Sequence, residues 1–329
     1  MAATINDIAA QAGTSKSTVS RYLNGGSISQ TVSERIEKAI DSLGYRPNVN
    51  ARRLVQSRTN MVGIVFDDIS NYIYGDMMAG IQKAAGSHGY NCFFLSRATE
   101  KKEEEEYLYL FSSSMVDGLV CVSFGRRLPE QVRALRDCGY PVVLVGDVAG
   151  ETGIPTVDVD NMAGTMAEVQ YLIRQGHTRI AYLEGPESMP AAASRRRGYL
   201  QALEYAGITP DPKLIVRTGW TVRDAYATVK TLMEQEKFTA LVGSNAYSTY
   251  GGMQALLDSG LRVPQDVAVA GFDDAPILEY AKPSITTLDQ PLYQMGELAT
   301  EQVIARIQGQ PGNSCATYAM PTLVMREST

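Results

Sequence analysis

The sequence is poor in the residues from which metal centres and disulfide frameworks are built. Its 329 residues contain four cysteines and two histidines. The cysteines are far apart and have no paired spacing, at Cys92, Cys121, Cys138 and Cys315. Metal sites and disulfide frameworks need closely spaced or paired Cys and His residues. We therefore expect no metal, no cofactor and no disulfide, and a reduced environment for the thiols.

The sequence also lacks membrane-targeting segments and the motifs of common enzymes. No apolar run approaches the roughly 20 residues of a membrane-spanning helix, and no signal-peptide core is seen near the N-terminus. No nucleophile elbow, Walker sequence or dinucleotide fingerprint occurs, and two histidines leave general acid–base catalysis to carboxylates. These absences predict a cytoplasmic protein that is not an enzyme and has no membrane partner.

The charges are divided unevenly along the chain. The sequence has 36 Asp and Glu against 30 Lys and Arg, a net charge of −6. Residues 1–59 nevertheless carry eight basic against four acidic side chains, which makes this segment +4 and the remainder −10. Nucleic-acid affinity depends on local positive charge, because phosphates attract Lys and Arg. A basic N-terminal segment on an acidic body indicates a protein that binds DNA through one end.

Residues 4–24 have the pattern of two short helices joined by a tight turn. Thr4 precedes Asp7 by three positions, an arrangement that caps a helix N-terminus. Apolar residues then recur at helical spacing, at Ile5, Ile8, Ala9 and Ala12. Gly13 is suited to end the first helix, and Ser15 to cap the second. A third helix is predicted over 30–43, after a cap at Ser29, which completes a three-helix head.

The second helix presents polar side chains opposite its apolar stripe. Val19 and Leu23 are predicted to face the core, while Ser17 and Arg21, four residues apart, share the opposite face beside Lys16. Side chains of this kind contact phosphates and base edges when a helix enters the major groove. The segment therefore has the features of a DNA-recognition helix. The alternative is a pair of surface helices with no role in DNA binding.

The head resembles the DNA-binding domain of the lactose-repressor (LacI) family. The near-continuous match runs over TINDIAAQAGTSKSTVSRYLN and continues through GYRPN, Ala51-Arg52 and Leu54. Thr14 stands where the family usually has valine. By this resemblance the DNA-contacting residues are Thr4, Ser15, Lys16, Ser17, Thr18, Ser20, Arg21, Asn24, Ala51, Arg52 and Leu54.

Residues 48–59 resemble the family's hinge helix. The segment could form about two helical turns, a length that is marginal alone in water. In the family this helix orders when two copies meet in the DNA minor groove, where paired leucines wedge open a base step. The resemblance places Leu54 as the wedge and Ala51 as the small residue that permits close approach. The alternative is an ordinary linker leucine.

From residue 61 onward, short apolar runs alternate with amphipathic helical stretches. The predicted strands are 61–66, 90–95, 117–122, 141–146, 156–159, 179–183, 214–217, 239–243 and 267–271. Such alternation predicts parallel sheets with helical crossovers, here in two series. We expect an all-α helix-turn-helix head at 1–47, a hinge at 48–59 and a two-lobed α/β body at 60–329. By its likeness to periplasmic binding proteins, lobe 1 covers 60–159 and 290–329, and lobe 2 covers 160–289.

Ligands of open α/β folds bind beyond the carboxyl ends of the strands, where this sequence places several polar residues. Family motifs correspond to DISNYIY at 68–74, RRRGY at 195–199 and GFDD at 271–274. Tyr72 replaces the family's proline, and Ala246 replaces the aspartate of its Asn-Asp pair. The resemblance assigns effector binding to Asp68, Tyr72, Tyr74, Ser123, Asp147, Asp160, Arg195, Trp220, Asn245 and Asp273.

An arginine, carboxylates and an asparagine around an aromatic ring suit a sugar, because hydroxyl pairs take directional hydrogen bonds and ring faces stack. The alternative is that these residues have structural roles only, with Asp273 in a turn, Arg195 as a surface charge and Trp220 in the core. Because Arg196 and Arg197 adjoin Arg195, a sugar phosphate is an alternative ligand.

These patterns predict a sequence-specific transcription repressor that a sugar or sugar phosphate releases from a pseudo-palindromic DNA operator. The family's symmetry implies a homodimer, and no leucine heptads follow Glu327 that would favour a coiled-coil tetramer. Two alternatives are a corepressor-type regulator, whose ligand tightens DNA binding, and a transport-type sugar-binding protein.

Overall fold

The computed structural model describes residues 3–23, 26–45, 58–69, 71–96, 115–122, 130–146, 153–310 and 316–329. Its internal contacts divide the chain between Thr59 and Asn60 into two compact units, the head and the body. Most of the predicted hinge, with Ala51, Arg52 and Leu54, lies outside the described residues, as do Asn24, Ser123 and Asp147.

The head consists of three helices around a small apolar core. They are α1 Ile5–Gln11, α2 Lys16–Leu23 and α3 Gln30–Leu43. The fully or nearly fully buried core residues are Ile8, Ala9, Ala12, Val19, Ile36 and Ala39. The amphipathic stripes predicted for the head therefore meet one another, and the three-helix arrangement is confirmed.

Local signals in the head act as predicted at the starts of its helices. Thr4 and Asp7 form a reciprocal capping box at the start of α1. The Ser15 hydroxyl accepts the Thr18 N–H (3.1 Å) at the start of α2. Gly44 ends α3 in the left-handed conformation, with a φ of 56°. Ser29 occupies the N-cap position of α3, as predicted, although its side chain makes no capping hydrogen bond.

The body contains two six-stranded sheets. The strands are β1 Met61–Phe66, β2 Asn91–Ser96, β3 Gly118–Val122, β4 Val142–Val145, β5 Thr156–Val159, β6 Ile180–Glu184, β7 Ile215–Arg217, β8 Ala240–Gly243, β9 Ala268–Phe272, β10 Thr286–Asp289, β11 Ala316–Ala319 and β12 Thr322–Val324. The first sheet has the order β11-β5-β4-β3-β1-β2 and is parallel throughout. The second has the order β12-β10-β9-β8-β6-β7, with β12 alone antiparallel.

Helical crossovers cover the two sheets. The described helices of the body are α4 Tyr74–Ser87, α5 Glu130–Asp137, α6 Asn161–Arg174, α7 Pro190–Tyr205, α8 Val222–Gln235, α9 Ala246–Leu257, α10 Pro276–Glu279 and α11 Leu292–Ile307, with a 3-10 turn at Pro212–Leu214. Strands β3, β4, β8 and β9 are buried along their whole length, as expected for parallel strands with helices on both faces. The predicted two-lobed α/β class is confirmed.

The C-terminal segment crosses between the lobes once more than the sequence predicted. Helix α11 packs against α4 of the first lobe, and β11 pairs with β5 of the first sheet. Strand β12 then returns to the second sheet, where it covers the open edge of β10. The assignment of residues 290–329 to lobe 1 was therefore wrong from β12 onward.

Among the described residues, no helix is long and apolar enough to cross a membrane.

Candidate functional site

A cavity of about 530 Å³ lies between the two lobes of the body. Its volume is in the range typical of small-molecule sites. Its polar and aromatic lining residues are Asp67, Asp68, Asn71, Tyr72, Tyr74, Asp158, Asn161, Ser188, Arg195, Trp220, Asn245, Tyr247, Asp273 and Gln290. Seven residues predicted to bind an effector are among them, although the sequence separates the first from the last by about two hundred positions.

Arg195 is held in one orientation by partners from three elements. Its side chain is 6% exposed on α7, where Nε donates to Asn161 Oδ1 (2.8 Å) and Nη1 donates to the Ser244 carbonyl (2.5 Å). The guanidinium carbon lies 3.6 Å from the centroid of the Phe272 ring. Stacking of this kind and directional hydrogen bonds pre-organise an arginine for bidentate recognition. The predicted alternative, a surface charge, is inconsistent with this burial.

Asp273 follows β9 in a backbone conformation that favours glycine. Asp273 has a φ of 74° and is 7% exposed. Oδ1 accepts a hydrogen bond from Gln290 Nε2 (2.5 Å) and lies 3.6 Å from Arg195 Nη2. The second lobe thereby places a carboxylate beside the arginine, and both line the cavity.

Trp220 also has a left-handed backbone, with a φ of 58°. Its indole Nε1 donates to the Ser244 hydroxyl (2.7 Å), and its ring centroid lies 5.7 Å from the Arg195 guanidinium carbon. A Cβ at Gly185 would overlap the indole, so glycine is needed there. The ring is thereby fixed where it can offer a face to a ligand.

Asn245 combines a cavity position with a helix cap. Its Oδ1 accepts the Ser248 N–H (2.9 Å) and the Ser248 hydroxyl (2.7 Å) at the start of α9. Since the oxygen is used by the cap, the amide nitrogen is the part of the side chain that can donate to a ligand.

Three tyrosines contribute to the cavity from the two lobes. Tyr74 donates its hydroxyl proton to Asp67 Oδ1 (2.5 Å). The Tyr72 ring, from the first lobe, meets the Tyr247 ring of α9 edge-on, with centroids 5.0 Å apart. The Tyr72 hydroxyl is buried without a hydrogen-bond partner, and this burial raises its pKa. The tyrosine that replaces the family's proline therefore packs against the opposite lobe.

Asp160 does not line the cavity, unlike the other described residues predicted for effector binding. Its carboxylate caps α6 by accepting the Ala163 N–H (2.8 Å). Its neighbours Asp158 and Asn161 line the cavity instead. Its assignment to effector binding stays a prediction, because a helix cap and a ligand contact look alike at the end of a strand.

Several residues of the cavity region escaped the sequence analysis, and four of them support predicted ones. Asn161 and Ser244 hold Arg195, Gln290 holds Asp273, and Tyr247 packs on Tyr72. Asn161 and Ser244 follow strands β5 and β8, so the rule that ligands lie at strand ends could have found them. Gln290 follows β10, a strand that was not predicted.

The two arginines next to Arg195 are used elsewhere. Arg196 Nε lies 3.5 Å from Glu184 Oε1, and Arg197 Nη2 donates to the Ser194 hydroxyl (3.0 Å). Neither lines the cavity. Among the described residues, no group of three or more His, Cys, Asp or Glu could hold a metal ion.

Among the described residues of the head, Thr4 caps α1, and the other residues predicted to contact DNA lie on or just before α2. Thr4, Ser15, Lys16, Ser17 and Arg21 are exposed, whereas Thr18 and Ser20 are half-buried. The Ser15 hydroxyl is within hydrogen-bond distance of the Ser17 (2.7 Å) and Thr18 (2.8 Å) hydroxyls. The exposed face of α2 therefore carries the predicted lysine, serine and arginine.

Comparisons with known proteins agree with this architecture. The family described as "Bacterial regulatory proteins, lacI family" matches residues 4–48, and that described as "Periplasmic binding proteins and sugar binding domain of LacI family" matches residues 59–317. Over 335 residues the chain is 32% identical to the HTH-type transcriptional repressor CytR of Escherichia coli (strain K12), which covers 100% of this chain and 96% of CytR. It is 31% identical over 335 residues to Catabolite control protein A of Priestia megaterium, with 100% of both chains covered.

Solved structures show the same likeness. A complex of the transcriptional regulator CelR with cellobiose matches with a TM-score of 0.77 at 30% identity, covering 99% of this chain and 100% of that chain. The lac repressor dimer bound to operator and the anti-inducer ONPF matches with a TM-score of 0.89 at 25% identity, covering 100% of this chain and 99% of that chain. The chain belongs to the LacI family of bacterial regulatory proteins, with a helix-turn-helix head and a sugar-binding type of body.

Proposed function

We propose that the chain is a transcriptional repressor that a neutral sugar releases from its DNA operator. The observation that carries this proposal is the cavity between the lobes, which Arg195, Asp273 and Trp220 line together. An arginine and a carboxylate bind the hydroxyl pairs of a sugar, and an indole ring packs on its C–H face. The cellobiose complex of the similar regulator CelR supports this ligand class.

The preference for a neutral sugar over a sugar phosphate rests on the arginines. Phosphate recognition uses clustered cations or backbone N–H groups. Of the three consecutive arginines, only Arg195 lines the cavity, and it already lies 3.6 Å from the Asp273 carboxylate. Arg196 is paired with Glu184 instead.

The DNA partner follows from the head. We propose that Lys16, Ser17 and Arg21, exposed on α2, contact phosphates and base edges in the major groove. Leu54, outside the described residues, is proposed to wedge a base step in the minor groove. One head reads few base pairs, so we propose that a two-fold homodimer binds a pseudo-palindromic operator in the cytoplasm.

A ligand screen tests the cavity. A thermal-shift panel of neutral mono- and disaccharides, cellobiose included, and of their phosphates should reveal a neutral sugar that stabilises the body. Asp273→Asn and Arg195→Gln should each weaken its binding at least about tenfold, equivalent to about 1.4 kcal/mol, because a buried polar partner is left unpaired. Trp220 fluorescence gives the affinities, since it is the single tryptophan.

The matched control is Arg262→Gln, which removes an arginine from an exposed pair with Asp266 away from the cavity. It should leave sugar binding unchanged. Equal binding by all variants would show that the effector site lies elsewhere. The sugar should also lower affinity for a DNA site selected from random sequence; a rise in affinity would instead identify a corepressor-type regulator.

A further inference from the structure

Glu168, on α6, is a buried acidic residue whose carboxyl oxygens have no hydrogen-bond partner among the described residues. Its exposed fraction is 0%, and it contributes nothing to the lining of the cavity. Buried carboxyl groups are normally paired, because an isolated charge in an apolar interior is strongly unfavourable. Burial is the main reason that the pKa of Glu168 is raised well above its ordinary value. Burial therefore favours the neutral form of the Glu168 carboxyl group.

A stripe of polar residues on α6 connects Glu168 with the cavity. Asn161, Thr165 and Glu168 are spaced by four and three residues, which places them on one helix face. Their exposed fractions are 4%, 1% and 0%, so the stripe runs from the cavity into the core of the second lobe. Asn161 Oδ1 accepts a hydrogen bond from Arg195 Nε. Glu168 thus lies two turns behind the residue that orients the arginine.

The charged groups that act on Glu168 are Arg195 and Asp273, the two members of the ion pair that lines the cavity. Arg195 of α7 lowers the pKa of Glu168, and Asp273 after β9 raises it. From β6, Tyr182 interacts with it electrostatically. The other elements packed on α6 are β10, whose single acidic residue Asp289 is exposed, and β12, which has no titratable residue. Arg195 and Asp273 therefore act on the Glu168 carboxyl group in opposite directions, in addition to the larger effect of burial.

Two hydroxyl groups beside Glu168 are also buried without partners. They are Thr165 Oγ1, one helical turn away, and the Tyr182 hydroxyl. A carboxylic acid donates one hydrogen bond and accepts others, whereas a carboxylate only accepts them and uses more hydroxyl donors. The surroundings of Glu168 thus contain hydroxyl donors for its charged form.

We propose that Glu168 is a second counter-ion of Arg195, neutral while Asp273 pairs with the arginine and ionised when a ligand draws Asp273 away. The inference rests on the proposed function of the cavity. On ionisation the O–H bond of the carboxylic acid breaks, the proton passes to solvent, and the carboxylate keeps the bonding electron pair. Arg195, Thr165 and Tyr182 then stabilise the carboxylate. Glu168 is a positioning residue. It compensates the positive charge of Arg195 and couples sugar binding to the release of one proton.

The Asp273→Asn variant tests this without any ligand, because it removes the charge that the ligand would draw away. Asparagine tolerates the left-handed backbone of this position, so the variant should fold. The infrared C=O band of a buried carboxylic acid reports the protonation of Glu168. Wild type at neutral pH should show this band and Glu168→Gln should lack it. In Asp273→Asn the midpoint of its pH titration should fall by about one unit or more, a tenfold loss of proton affinity.

Two further variants keep the test decisive. Arg195→Gln should move the midpoint in the opposite direction, to higher pH, and it gives an answer even if Asp273→Asn does not fold. Glu184→Gln, which removes a carboxyl of β6 paired with Arg196, should leave the band and its midpoint unchanged. A wild-type protein without the band, or a midpoint that Asp273→Asn and Arg195→Gln both leave in place, would overturn the proposal. Failure of the proposed function would appear instead as an absence of sugar binding in the fluorescence titrations, whereas the infrared test uses no sugar.

Discussion

Two residues that line the cavity, Trp220 and Asp273, have positive φ angles of 58° and 74°. Such conformations cost a non-glycine residue on the order of 1–3 kcal/mol and persist where the surroundings hold them. Here Ser244 holds the indole of Trp220, and Gln290 holds the carboxylate of Asp273. The strain is therefore located where the side chains must have one orientation.

The neighbour of Asp273 has a structural role that can be tested separately. Asp274 accepts two hydrogen bonds from the Arg326 guanidinium (2.6 and 2.8 Å) and one from the Thr287 hydroxyl (2.7 Å). The pair ties the chain after β12 to the end of β9. We expect Asp274→Asn to lower the free energy of unfolding of the body by about 1–3 kcal/mol, because it removes a charge-assisted bidentate pair. Urea denaturation measures this change.

The pH dependence of the same variant has a defined sign. Burial opposes ionisation of Asp274, but the hydrogen bonds from Arg326 and Thr287 outweigh it and lower the pKa. A carboxyl whose folded-state pKa is depressed stabilises the fold above its ordinary pKa, and this contribution is lost as the pH falls through the depressed value. The difference between wild type and Asp274→Asn should shrink below about pH 4. A difference that stays constant into acid would contradict the assigned pair.

Helices α4 and α11 of the first lobe approach one another through two glycines. A Cβ on Gly80 would overlap the Tyr293 carbonyl, and one on Gly296 would overlap the Met77 carbonyl. Helix propensity alone favours alanine over glycine by about 1 kcal/mol. We expect Gly80→Ala and Gly296→Ala to destabilise the body in spite of this, by about 1–3 kcal/mol, because the backbones must separate. Thermal unfolding of the full chain measures the effect.

Gly86, on the same helix α4, is the matched control. No heavy atom lies within 4 Å of a Cβ added there. Gly86→Ala should therefore raise stability by up to about 1 kcal/mol through propensity alone. Destabilisation at all three glycines would show that backbone conformation, and not helix contact, determines the outcome.

The two lobes of the body are joined by three chain crossings in the described residues, after β5, after β10 and between β11 and β12. The cavity that they enclose combines residues of both lobes, so a ligand there can favour one lobe arrangement over another. A ligand shifts DNA affinity only by its preference for one of the two arrangements.

The intact protein should bind DNA as a symmetric dimer. On a pseudo-palindromic duplex selected from random sequence, we expect two chains per duplex in sedimentation at micromolar concentration, because each head reads one half-site. A duplex of equal length with a single half-site is the control, and it should bind far more weakly. A chain that stays monomeric on the palindromic duplex would contradict this prediction.

The site could be predicted only in part. Arg195, Asn245 and Asp273 line the cavity as expected from sequence motifs, and Trp220 as expected from the family resemblance. Gln290 was missed since β10 has only four residues and no clear pattern. Asp160 caps a helix, and its sequence position does not distinguish a cap from a ligand contact.

The sequence alone determined the elements of this protein and its family. Helix stripes and buried strands are local patterns, so nine strands were predicted to within one residue of their observed ends, and the head helices were found with their caps. Tertiary structure alone decided the return of β12 to the second sheet, the contact of Tyr72 with Tyr247 across the cavity, and the burial of Glu168 behind Arg195. These features depend on contacts between residues far apart in the chain, and their energies arise only when two lobes pack, which no local pattern records.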